Sequence, residues 1–343
     1  MSVLPARYRL RSNNVHIEMG ANETSAGWLW YFVCVGMVER HIGAGPLPHF
    51  GPAGPDHSAY DDLMKMTDMR TQVVSIETDT TPLDGLLYLP AHSDVYGAVQ
   101  LMHGNTMNFY VGPPRFLPPY LTQLGLACLA YNRRGHDVLS NRDSRALEGG
   151  AFQTMAEAIE DNRLARRWID DQGFPPPFVV GHSNGGMLGV RHVVDFTDTP
   201  GLVLLSAHRG GKEIMRLMAE NGLMAADRYA TTTATARRLV AEGNGHQLML
   251  VPGWWYVISA GTYVEFLDHC PDIVRLASRI PCETLFVRSK EESADVYPAE
   301  ELATLSPHSV SVEILDAGGH YYAGSEHQVA ETVAVWIASH LSR

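Results

Sequence analysis

The chain has 343 residues, with 45% hydrophobic and 19% charged side chains and a formal net charge of −12 from 26 Lys+Arg against 38 Asp+Glu. That balance excludes a disordered or collagen-like chain, and it argues against a duplex-binding surface, which needs clustered positive charge. The length suits one large α/β domain with insertions or two smaller domains, and a core of that size needs no metal or disulfide staple.

Residues 1–70 show no regular repeat. They hold an apolar, aromatic run from Trp28 to Val38 and then a Gly/Pro-rich stretch. The run is far short of the ~20 residues that cross a bilayer, and MSVLPARYRL lacks the apolar core of a signal peptide. A soluble, cytoplasmic protein without membrane contact is expected. The aromatic run must still be buried, so the segment is expected to be an arm on the main domain or on a second copy in a homodimer. A short helix is predicted over Asp61–Met69.

Regular alternation starts at 71–79 (TQVVSIETD), with 85–91 as its hairpin partner. The runs 98–104 and 126–131 read as buried parallel strands, with a short helix between them at 117–124. Residues 152–171 form an amphipathic helix with Phe152, Met155, Ile159 and Ile169 on one face and Leu164 and Trp168 off that stripe. Strand 177–183 runs into helix 187–196. Strands follow at 201–207, 283–289 and 311–316, and helix 328–341 closes the chain. This alternation means a doubly wound, mostly parallel sheet. The interval 210–278 interrupts it with helical segments at 211–222, 233–243 and 261–270 and a loop at 251–261. It is expected to be a helical cap inserted between core segments 71–209 and 279–343. Four cysteines, Cys34, Cys128, Cys270 and Cys282, form no C-x-x-C pair, and no H-E-x-x-H or comparable metal spacing is present.

The sharpest local signal is Gly181-His182-Ser183-Asn184-Gly185-Gly186, between a strand and a helix. Small residues there permit a tight turn that lifts the Ser183 hydroxyl out of the sheet, at the start of a helix. The Asn184 amide can then face a developing oxyanion. A serine needs a base, and His320, just past the last strand, is the candidate. An acid should orient His320. The loop after strand 283–289 offers three: Glu291, Glu292 and Asp295. A second oxyanion donor is expected from the backbone of Asn105, with Thr106 as the alternative, where His103-Gly104 ends an earlier strand.

These pieces, together with Arg134-Gly135-His136, resemble the α/β-hydrolase superfamily over about residues 72–343. The resemblance implies an eight-stranded, mostly parallel sheet, a helical cap after the sixth strand and a Ser–acid–His triad. It gives Arg134-Gly135-His136 a structural role in the loop after the fourth strand. The acid loop departs from the common Gly-x-x-Asp form. It reads Ser289-Lys290-Glu291-Glu292, which puts Glu292 in the acid position, with Asp295 the alternative. Residues 1–70 have no counterpart in the minimal fold. The expected chemistry is acyl transfer through Ser183, without metal or cofactor, on an ester or amide of a small to medium, partly aromatic compound. Trp254, Trp255 and Tyr256 are candidates for the walls of its apolar pocket. His208 and Arg209 follow strand 201–207 toward the same region, and Arg209 can meet either a substrate carboxylate or an internal acid. The alternatives are a C–C bond hydrolase of a diketone-type ring-degradation product and a non-catalytic interaction or sensor protein.

Overall fold

The computed structural model describes residues 69–92, 94–140, 146–254 and 256–341. The apolar run Trp28–Val38 and the homodimer contact expected of residues 1–70 lie outside them. Of the helix expected over Asp61–Met69, residues 61–68 lie outside the described residues as well, and Met69 belongs to the first strand.

Strands β1 (Met69–Ile76), β2 (Leu83–Pro90), β3 (Gly97–Met102), β4 (Leu126–Tyr131), β5 (Phe178–His182), β6 (Leu202–Leu205), β9 (Thr284–Ser289) and β10 (Val310–Leu315) form one sheet in the order β1-β2-β4-β3-β5-β6-β9-β10. Strand β2 runs antiparallel to both neighbours, and the pairs from β4 to β10 are parallel. The central strands read as continuous apolar runs because both faces are covered. Alternate residues enter opposite cores: Val179, Leu204 and Phe286 pack on one side, Val180, Leu205 and Leu285 on the other. Helices Met155–Asp171 and Asn184–Asp195 contribute Met155, Met187 and Val193 to the first face. Helix Glu326–His340 gives Val329, Val333 and Ile337 to the second. Each such buried side chain is worth roughly 1.5–3 kcal/mol in area terms.

Helix Met155–Asp171 begins at a capping box, with Thr154 and Glu157 each satisfying the other's backbone N–H. Its Met155 and Ala158 join the first core, while Ala165 and Ile169 join a third core with Val74, Leu87 and Leu129. Leu164 and Trp168 pack on this third core, which is why they fall off a single apolar stripe.

Between β6 and β9 lie helices Ile214–Glu220, Tyr229–Ala241 and Ala260–His269. The loop expected over 251–261 is instead largely a hairpin, β7 (Leu248–Val251) paired antiparallel with β8 (Tyr256–Ser259). Four-residue strands are too short for alternation to show, and their turn uses Gly253 at φ +91°. A Cβ at Gly253 would stand 1.7 Å from the Leu223 carbonyl oxygen. Among the described residues the insertion shares a core with the sheet: Met215, Leu239, Ile258 and Tyr263 pack into its first core. Among the described residues, no helix is long and apolar enough to cross a membrane.

The register sets Met102 beside Gly181, His182 beside Leu205 and Leu205 beside Val287. The loops leaving β3, β5, β6 and β9 therefore emerge side by side along one edge of the sheet, where chain reversals between parallel strands converge.

Candidate active site

Ser183 sits at φ +56°, ψ −120°, between β5 and the helix that opens at Asn184. A non-glycine residue holds such a conformation only where its surroundings enforce it. Here three glycines make room. A Cβ on Gly181 would come within 2.3 Å of the Gly185 carbonyl oxygen, one on Gly185 within 2.3 Å of the Met102 carbonyl oxygen, and one on Gly186 within 2.5 Å of the Ala207 Cβ. The first N–H groups of the helix, Asn184's among them, have no intrahelical acceptor and carry the positive end of its dipole.

Ser183 Oγ lies 3.0 Å from His320 Nε2, and His320 Nδ1 lies 2.8 Å from Glu292 Oε1. With Nδ1 donating to the carboxylate, Nε2 is left to accept the serine proton. The other oxygen of Glu292 is also taken. Oε2 accepts from Ser206 Oγ at 2.7 Å and from the Ser289 backbone N–H at 2.9 Å. Tyr322 backs Ser206, its hydroxyl 2.8 Å from Ser206 Oγ and 3.0 Å from the Val287 carbonyl. Of the three competing acids, Glu292 is buried, whereas Glu291 and Asp295 are exposed.

His320 is anchored from a second direction. His182 Nε2 stands 2.8 Å from the His320 carbonyl oxygen, and its ring is 5.0 Å from the His320 ring. Burial, with the charge of His320 adding to it, lowers the His182 pKa to about 3, so the ring is neutral and Nε2–H is the donor. Rings of Trp254, Tyr297 and Tyr321 also surround His320, at 5.3, 5.5 and 5.1 Å.

The turn after β3 faces Ser183: a Cβ on Gly104 would be 3.3 Å from the Ser183 Cβ. Thr106 donates its N–H to Asn105 Oδ1 at 3.1 Å. Of the two backbone donors expected here, the Thr106 N–H is therefore already engaged. The Asn105 side-chain amide is itself tied to the Tyr256 hydroxyl. His103, fully buried, donates Nδ1–H to the Gly104 carbonyl at 2.7 Å and accepts the Arg133 N–H at Nε2, 3.0 Å away. Arg134 is buried against Asp161, with its N–H and Nε each 2.8 Å from that carboxylate.

The pocket candidates divide. Trp254 is 39% exposed with its ring on His320. Tyr256 is buried in the first core, and its hydroxyl accepts the Asn105 side-chain amide. Trp255 lies outside the described residues. His208 is buried, with Nε2 3.3 Å from Asn184 Oδ1 and Nδ1 accepting the Gly210 N–H at 3.1 Å. Burial lowers its pKa to about 3, and it too is neutral. Arg209 does not join the serine. Its guanidinium pairs with Glu301, Nη1 lying 2.9 Å from Oε2, so the internal acid takes it. Sequence reasoning missed Ser206, Tyr322, Tyr297 and Arg133. Their partners are distant in the chain, and no local pattern marks them. Among the described residues, no group of three or more His, Cys, Asp or Glu side chains is arranged to hold a metal ion.

Solved structures share this architecture. Est1E from Butyrivibrio proteoclasticus, with ferulic acid bound, superposes with a TM-score of 0.61 at 14% identity, covering 79% of this chain and 100% of that one. A highly thermostable carboxyl esterase from Bacillus coagulans gives 0.58 at 15% identity, over 79% of this chain and 98% of that one. The esterase domain of a Rhodothermus marinus protein gives 0.53 at 19%, over 80% and 100%. At these identities the likeness establishes the fold. No curated protein matches at the level of sequence. The model of the alpha/beta hydrolase family, however, matches residues 101–335. That span runs from β3 through the Ser183 turn to the last helix, and together with the strand order and the turn it shows that the chain belongs to the alpha/beta hydrolase family.

Proposed function

We propose that this protein is a serine hydrolase that cleaves an ester or amide of a small to medium, partly aromatic compound through an acyl-enzyme. The observation that carries the reading is the unbroken chain from Ser183 Oγ to His320 Nε2 at 3.0 Å and from His320 Nδ1 to Glu292 Oε1 at 2.8 Å. In this reading Ser183 attacks the substrate carbonyl as His320 takes its proton. The Asn105 and Asn184 N–H groups receive the oxyanion. His320, steadied as an imidazolium by Glu292, protonates the leaving group and then activates the water that releases the acyl group. The insertion 210–278 would act as a cap, excluding water from the reacting carbonyl. The exposed Trp254 ring beside His320 supports an aromatic or apolar substrate group. The esterase neighbours and the ferulic acid bound to one of them favour an ester of an aromatic acid.

The test is a panel of p-nitrophenyl esters and the matching anilides, assayed with wild type and Ser183→Ala. Esters should turn over faster than anilides. Ser183→Ala should lose about 10³-fold or more in kcat with circular dichroism unchanged. A folded Ser183→Ala protein within about tenfold of wild type would remove the serine mechanism.

A further inference from the structure

Arg133 follows β4 directly and is 1% exposed, a guanidinium charge enclosed in the protein. The acid near it is occupied elsewhere: Asp161 is bonded by Arg134 and, at 3.0 Å, by Gln153 Nε2. Arg133 directs Nη2 at main-chain carbonyls instead, His103 at 2.7 Å and Gly104 at 3.4 Å. Its Nε and Nη1 have no hydrogen-bond partner among the described residues. Burying a cation without a carboxylate on it is costly. Methionine or leucine would fill such a position without that cost, so the charge itself calls for a reason.

The two carbonyls lead into Asn105. The Gly104 carbonyl belongs to the same peptide unit as the Asn105 N–H, and it already accepts His103 Nδ1 at 2.7 Å. A donor on the carbonyl side of a peptide deepens the dipole at its N–H, and linked hydrogen bonds polarise one another. A charge enclosed in low-dielectric surroundings also acts over longer distances than one in water. We propose that Arg133 is a positioning residue for the oxyanion hole: it holds the His103–Gly104–Asn105 turn and polarises the Asn105 N–H toward the negative charge that develops on the substrate oxygen. This rests on the serine-hydrolase reading of Ser183. The same charge strengthens the field from beneath the turn while touching neither substrate nor reacting atoms.

Arg133→Met removes the charge at similar volume, and Arg133→Lys keeps it. Each is compared with wild type and Ser183→Ala on p-nitrophenyl butyrate, with kcat expressed per serine that a fluorophosphonate labels. A second readout is the affinity of an aryl trifluoromethyl ketone, which adds to a serine to form a tetrahedral oxyanion. Removing a direct oxyanion donor costs about 10²–10³ in kcat, so Arg133→Met should cost less, about ten- to a hundredfold, with KM within about twofold. Ketone affinity should fall in parallel, and Arg133→Lys should recover most of both. A folded Arg133→Met protein that keeps kcat per labelled serine and ketone affinity within about threefold of wild type overturns the proposal, whatever happens to its Tm. So does Arg133→Lys behaving like Arg133→Met, which marks a steric staple. If Arg133→Met does not fold, Arg133→Gln carries the same comparison. Activity surviving in Ser183→Ala would overturn the serine reading itself, a result distinct from any obtained at Arg133.

Discussion

Glu292 and Asp295 are three positions apart, and their surroundings separate them. Glu292 places one oxygen on His320 and the other on Ser206 and Ser289, so three partners together hold one carboxylate orientation. Asp295 is exposed. The extra methylene of glutamate is accommodated because the acid is held from below, by Ser206 at the end of β6 in a left-handed conformation of φ +45°. Glu292→Gln should therefore lower kcat by about 10²–10⁴-fold, in the range of acid losses from Ser–His–acid sites, while Asp295→Asn stays within about twofold of wild type. Steady-state kinetics on one ester decide it. A severe loss in Asp295→Asn with a near-normal Glu292→Gln would transfer the acid role. The choice between these residues was open in the sequence because both follow the same strand. The hydrogen bonds that separate them come from β6 and from the loop after β10.

The hairpin β7–β8 assigns different work to neighbouring aromatic residues. Trp254 at its turn is partly exposed and lies on His320, whereas Tyr256 on β8 points into the first core with its hydroxyl on Asn105. Trp254→Ala should change kcat/KM unequally across ester series of different acyl size, with Tm nearly unchanged, as expected where a half-exposed ring meets substrate. Tyr256→Phe should depress all substrates together, because it releases the Asn105 side chain without opening a pocket. Parallel losses across every substrate in Trp254→Ala would make that ring a packing element. The opposed directions of the two residues were not legible in the sequence. Alternation shows in β2, where buried and half-exposed residues take turns over the first six of its eight positions. The four residues of β7 are apolar throughout, so the turn-taking of exposed and more buried positions along it leaves no mark in the sequence, and the four positions of β8 do not keep a strict alternation.

Burial makes the molecule sensitive to acid. His182, His192 and His208 have pKa values lowered to about 3 by desolvation, and that of His103 is also lowered by burial. Each is neutral in the fold but protonates in the unfolded chain below about pH 6.5. The unfolded state then binds more protons, so the stability these groups contribute is present above that pH and is lost as pH falls toward 3. Asp161 acts in the opposite sense. Burial raises its pKa to about 6, so the folded state holds its proton between the unfolded carboxylate value and 6. One acid opposes four histidines over part of the window. Tm should fall on going from pH 7 to pH 4.5, by a slope of up to about 1.4 kcal/mol per pH unit for each uncompensated histidine. A melting series in buffers of constant ionic strength measures it. A Tm that is flat or rises on acidification would show that these rings are solvated in the fold.

Local pattern carried the elements that repeat or strain the backbone. Apolar runs marked β3, β4, β5, β6 and β9, the first four with glycine at one end or both, and Gly181-His182-Ser183-Asn184-Gly185 marked the turn at φ +56°, because only a crowded strand-to-helix reversal needs that spacing of small residues. The helix at 155–171 and the interruption after β6 followed from periodicity and from its loss. Everything that depends on residues far apart in the chain waited for the tertiary structure. Ser206 under Glu292, His182 on the His320 carbonyl and Arg133 beneath Asn105 each join segments separated by at least 28 positions. Such contacts are made by strand register and by loops meeting at one sheet edge. Sequence spacing records a period along one element, and it holds no measure of how two elements meet.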